Sequence, residues 1–200
     1  MELGVLTNLY GNKSLDEVLA HLSKLGVTMA EIGCGGYPGK AHCDPAVLLN
    51  DEKAYQEFLD TFQRHNMKIS ALSCHGNPVH PNQETAKMYH DDFVNAILLA
   101  EKIGIDTVVG FSGCPGDGPH ATAPNWVTCA WPDDYPAILE YQWNEVLIPY
   151  WKKMAKFANE HKVTKIAFEM HPGFCVYNPE TLMRLREAVG PTIGANFDPS

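Results

Sequence analysis

The chain has 200 residues, of which 45% are hydrophobic and 20% charged, with a formal net charge of −9. Its length and composition fit one globular domain, residues 1–200, with a sizeable core. The acidic balance disfavours a nucleic-acid backbone or an anionic membrane surface as partner, and no apolar run approaches the ~20 residues of a membrane span.

The N-terminus, MELGVLTNLYGNKS, does not place a basic segment before an apolar one. No secretion signal is read there, and a cytoplasmic location is expected. Six cysteines, at 34, 43, 74, 114, 129 and 175, form no C-x-x-C pair. That excludes zinc-ribbon and thioredoxin readings and predicts reduced, mostly buried thiols. Cys34 with His42 and Cys43 is too irregularly spaced for a standard zinc site, and loop packing is the simpler explanation.

In chain order, residues 3–6 read as a strand and 8–13 as a loop. Ser14 and Glu17 form a capping box that opens a helix. Leu15, Val18, Leu19, Leu22 and Leu25 share one face of it, and Gly26 closes it. A second strand is expected at 29–32, followed by a loop, GCGGYPGKAHC, too glycine-rich for regular structure. Asp44-Pro45 starts a short helical turn, and 51–64 is a helix with Tyr55, Phe58, Leu59 and Phe62 on one side. The third strand, 68–72, leads into the stiff polar loop SCHGNPVHP. Asn82 caps a long helix that Gly104 stops.

A fourth strand, 107–110, precedes the longest loop, in which Trp126 and Trp131 predict ordered packing. A helix over 137–161 contains Pro149 and is expected to bend there. The fifth strand, in KIAFEMHP, ends in Glu169. Asn178 and Pro179 open another helix, and the sixth strand ends in Asp198. Strands alternating with amphipathic helices mean a parallel sheet with helices outside. No G-x-G-x-x-G or G-x-x-x-x-G-K-[ST] follows a strand, so a nucleotide-binding open sheet has no support. Polar residues crowd the strand ends (Asn8, Glu31, His75, Glu169, Asp198), which favours an α/β (β/α)8 TIM barrel, cut after its sixth strand. A six-stranded sheet leaves edges open to association, so a homo-oligomer is conceivable.

Alternation puts Ala167, Glu169 and His171 on one face of the fifth strand, and Asn196 and Asp198 on the matching face of the sixth. Two carboxylates on adjacent strands repel, so one takes a proton or a cation holds both. Oxygen ligands suit magnesium or manganese, and imidazole extends the range to zinc or cobalt. A structural ion pair is the competing explanation for Glu169, and a turn or helix cap for Asp198. His75 and His171 either line the pocket and contact a substrate hydroxyl or hydrogen-bond their loops. Glu31 either orients the site from behind or forms a structural pair. His42 and His120 are expected on exposed loops, and no nucleophile signature is found.

The segments AEIG (30–33), SCHGNPVHP (73–81), AFEMHPG (167–173) and GANFDPS (194–200), in that order, resemble the sugar phosphate isomerase/epimerase family of xylose-isomerase-like TIM barrels. The resemblance implies a divalent metal held from four strand ends, with Glu169 and Asp198 as two ligands and a histidine and a glutamate beyond this chain as the others. It implies a sugar or polyol substrate and proton transfer beside a carbonyl through an enediolate, with Glu169 as one of the acid–base groups. The alternatives are an N-terminal fragment without activity of its own, and a DNA-repair enzyme of the endonuclease IV type, which the charge of −9 opposes.

Overall fold

The computed structural model describes residues 2–199. Six strands form one parallel sheet in the order β1 to β6: β1 Gly4–Leu6, β2 Met29–Gly36, β3 Lys68–His75, β4 Thr107–Gly110, β5 Lys165–Glu169 and β6 Ile193–Asn196. Between them run α1 Leu15–Lys24, α2 Pro45–Asn50, α3 Glu52–Arg64, α4 Gln83–Ile103, α5 Asp134–Glu140, α6 Ile148–Glu160 and α7 Pro179–Val189. This is the expected α/β architecture: the first six strands of a TIM barrel with their helices.

Local signals explain most element boundaries. Ser14 and Glu17 form the capping box of α1. Asp44, Asp51 and Asn82 each accept from the first turn of the helix that follows. Gly104 ends α4 in the left-handed region at φ +87°. On β5, Ile166 and Phe168 are fully buried against the helices, and Phe168 meets Trp151 of α6 edge-on at 4.5 Å. Ala167 and Glu169 occupy the other face, toward the barrel axis.

Three expectations are corrected. Residues 8–10 do not form an open loop but belong to a 3-10 turn, Thr7–Tyr10. The strand expected at 29–32 continues through the glycines to Gly36, paired along its length with β3, which itself reaches His75. The glycines are there because neighbours crowd them. A Cβ on Gly35 would come within 3.0 Å of both Cys74 Sγ and Asp92 Cβ, and one on Gly36 would collide with the carbonyl oxygen of His75. Asp92 then fixes this strand end, accepting from the Gly36 N–H at 3.0 Å and pairing with Lys40 at 2.7 Å.

The long helix takes a particular form near Pro149. The chain from 134 to 160 stays helical but widens into a π-helical segment, Tyr141–Leu147, immediately before that proline. Proline offers no N–H to the carbonyl four residues back, and the wider turn absorbs the defect. The segment aims buried Gln142 at the long loop, where its side-chain amide donates to the carbonyls of Pro115, Gly116 and Asn125 at 3.3, 3.1 and 2.7 Å. The third correction concerns Trp131. Trp126 packs as expected, but Trp131 is 77% exposed.

Gly36→Ala tests the packing of this strand end. Its φ of +62° adds left-handed strain to the collision with His75. Urea unfolding is expected to show a loss of at least ~2 kcal/mol.

Candidate active site

The axis-facing side of the sheet is polar at its C-terminal end. The Glu169 carboxylate, at the tip of β5, faces the His75 ring at the tip of β3, with Oε2 to Nε2 at 3.1 Å. His75 is only 4% exposed, and its Nδ1 has no hydrogen-bond partner among the described residues. Burial holds the imidazole far below its ordinary titration range, at about 4. It is therefore neutral and donates from Nε2, leaving the Nδ1 lone pair buried. A residue expected in a loop is instead the last residue of a strand, which is why its direction is fixed.

Glu169 titrates above the ordinary glutamate range. Burial is the main cause, the His171 charge opposes it, and the Asp198 charge adds to it. Among the described residues the uncharged His75 ring faces it, and no lysine or arginine forms an ion pair with it. The competing reading of Glu169 as half of a structural pair with a basic side chain thus has no support here. Asn196 pairs with Glu169 in register. Asp198 lies two residues further on, exposed beyond the end of β6 but near enough for its charge to act on Glu169. Ser200, the last residue of the GANFDPS segment, lies outside the described residues.

Glu31 is not at a strand end. It sits midway along β2 and accepts a hydrogen bond from the Ser73 hydroxyl, within electrostatic reach of His75. His171 is exposed at the rim, its Nδ1 2.7 Å from the Pro172 carbonyl and its ring 5.1 Å from Phe111. His42, expected on the surface, is buried, with Nε2 3.0 Å from the Lys13 carbonyl. Cys34 and Cys74 are both packed in the hydrophobic core, and the neighbouring Cys74 together with burial holds the Cys34 thiol well above the ordinary range. No three His, Cys, Asp or Glu side chains gather closely enough to hold a metal among the described residues.

The site also has an aromatic rim that the sequence pattern does not announce. Phe111 and Phe174 stack at 4.2 Å, and Tyr37 packs against both. With Leu6, Asn8 and His75, Tyr37 and Phe111 line an open, shallow cavity of about 190 Å³ that Glu169 also borders. The available signal was an aromatic residue in each of the loops after β2, β4 and β5. A larger cavity, about 570 Å³, lies against α7 and contains neither Glu169 nor His75. The smaller one is the candidate site because the perturbed acid opens into it.

Residues 19–200 match the model of the xylose isomerase-like TIM barrel family. The chain belongs to that family. It is 40% identical over 202 residues to Uncharacterized protein YfiH of Bacillus subtilis (strain 168), covering all of this chain and 64% of that protein. It thus spans less than two thirds of this curated relative. Among solved structures, a xylose isomerase-like TIM barrel protein from Mycobacterium smegmatis in complex with magnesium superposes with a TM-score of 0.65 at 16% identity, over 98% of this chain and 64% of that one. D-psicose 3-epimerase in the presence of D-fructose gives 0.60 at 12%, over 97% and 62%. The probable 3-DHS dehydratase AsbF from Bacillus anthracis gives 0.62 at 12%, over 94% and 59%. At these identities the structural likeness is one of fold.

The neutral His75 makes a pH prediction. The unfolded imidazole binds a proton near its ordinary value of 6.5, and the folded one only near 4. The buried neutral ring therefore contributes stability above pH 6.5 that is lost as pH falls toward 4. At about 1.4 kcal/mol per unit, roughly 3 kcal/mol is involved. In His75→Gln, the fall in unfolding free energy across this interval should be correspondingly shallower than in wild type, as read from urea titrations at both ends.

Proposed function

We propose that this chain forms the larger part of a metal-dependent sugar or polyol isomerase or epimerase, and that Glu169 is its acid–base residue. The observation that carries the reading is the Glu169 carboxylate, with its raised pKa, at the tip of β5, opening into the mouth of the barrel. Active sites of this fold sit at that end of the sheet.

A raised pKa brings Glu169 closer to the working range of a general base, so it can both take and return a proton beside a carbonyl. His75 would hold the carboxylate in one orientation through the Oε2–Nε2 contact. Tyr37 and Phe111 would give the substrate an aromatic wall beside the carboxylate. Whether the proton returns to the same carbon, its opposite face or a neighbour separates epimerisation from isomerisation.

The donors fit part of a divalent-metal site. Glu169 and Asp198 would be its two oxygen ligands, close enough for the Asp198 charge to disfavour that of Glu169. Glu169 and Asp198 would hold the ion, which when bound would supply positive charge to the substrate oxygens. A magnesium-bound relative and a ketose epimerase of the same fold support the same reading.

The test is proton exchange. Glu169→Gln should slow exchange of the hydrogen next to the carbonyl of a ketose such as D-fructose with deuterated solvent by about 10²–10⁴-fold, followed by NMR in the presence of manganese. It should also lower the manganese bound at equilibrium. Unchanged exchange together with unchanged metal would place the chemistry elsewhere.

A further inference from the structure

Cys114 and Cys175 lie on the loops after β4 and β5 and take no part in the sugar chemistry. They are 1% and 5% exposed. Two hydrogen bonds clamp their loops together: the Cys175 N–H donates to the Gly113 carbonyl at 3.0 Å, and the Val176 N–H to Ser112 Oγ at 2.9 Å. Asn77 holds Cys114 from the other side, accepting from its N–H at 3.0 Å and donating to its carbonyl at 2.8 Å. The two thiols are near enough for each to shift the other's titration, and Cys114 Sγ donates to the Pro115 carbonyl at 3.5 Å.

A disulfide needs about 4.4–6.8 Å between Cα atoms. A residue whose N–H bonds the carbonyl just before the other cysteine lies at that spacing. Cys175 also walls the cavity of about 570 Å³ against α7, which gives a small oxidant a way in. The other neighbouring pair, Cys34 and Cys74, has no such route on the Cys34 side, since Cys34 is fully buried.

We propose that Cys114 and Cys175 are an oxidisable pair that a peroxide converts to a disulfide, stapling the loops after β4 and β5. One thiolate attacks a peroxide oxygen, the O–O bond breaks, and the departing hydroxide takes up a proton. The sulfenic acid so formed is attacked by the second thiolate, which makes the S–S bond and expels its oxygen as a second water. In sum, two thiols and one hydrogen peroxide give one disulfide and two waters, with sulfur oxidised and peroxide oxygen reduced. The neighbouring Cys175 lowers the Cys114 pKa, which favours a thiolate there. The staple would form next to Phe111 and Phe174, whose stacked rings rim the mouth.

The inference is independent of the proposed activity. The whole chain, treated with hydrogen peroxide and digested without reductant, is mapped by mass spectrometry. The expected result is a Cys114–Cys175 cross-linked peptide that dithiothreitol removes and that is missing from Cys114→Ala and Cys175→Ala variants with wild-type circular dichroism. If those variants do not fold, the wild-type map alone decides. Oxidation of exposed Cys129 with no Cys114–Cys175 cross-link, or prior linkage of any other pair, would overturn the proposal.

Discussion

A carboxylate held at the end of a buried strand against an uncharged imidazole is the constraint on which the site depends. Burial disfavours the charged form of both partners, so the Glu169–His75 contact is not a strong ion pair. Asp198 raises the free energy of the Glu169 charge further. Such an arrangement persists only because the sheet fixes both side chains. Glu169 ends β5, His75 ends β3, and the short β4 lies between them. The relief available to this acid, a proton or a cation, is also what proton-transfer chemistry at a carbonyl requires.

The surrounding loops are held by side chains rather than by regular backbone pairing. Asp92 fixes the end of β2 and so the approach to Tyr37. Asn77 and Gln142 satisfy the backbone of the long loop after β4. Trp126 ties that loop to the next one through the Phe174 carbonyl at 2.9 Å. The buried indole N–H of Trp151 donates to the Ser112 carbonyl at 2.8 Å, and Ser112 Oγ accepts from Val176. Rigid strands thus carry the acid and the imidazole, while cross-linked loops carry the aromatic rim.

Much of this was legible in the sequence because its signals are local. Capping residues, helical apolar periodicity and the Ile166/Phe168 alternation each depend on a few neighbouring residues, and the order of strands and helices follows from them. The acid at the end of β5 was legible for the same reason. The glycine run of β2 was not, because residues that look unstructured in isolation are needed where β3 and Asp92 crowd a strand. The Phe111–Phe174 stack joins residues 63 positions apart, and no local pattern announces it. Glu31 resembles a strand end because the last four residues of β2, three of them glycine, carry no strand signal of their own. The buried His42 is explained by a carbonyl 29 residues away.

The central claim is that Glu169 carries its charge at a disadvantage, imposed by burial and by Asp198. Carbon-13 NMR of the Glu169 side-chain carboxyl across a pH titration measures this directly, in wild type and in Asp198→Asn. The account predicts a wild-type midpoint above the ordinary glutamate value and a lower one in the variant. A wild-type midpoint at or below the ordinary value, or one that Asp198→Asn leaves unmoved, would contradict it.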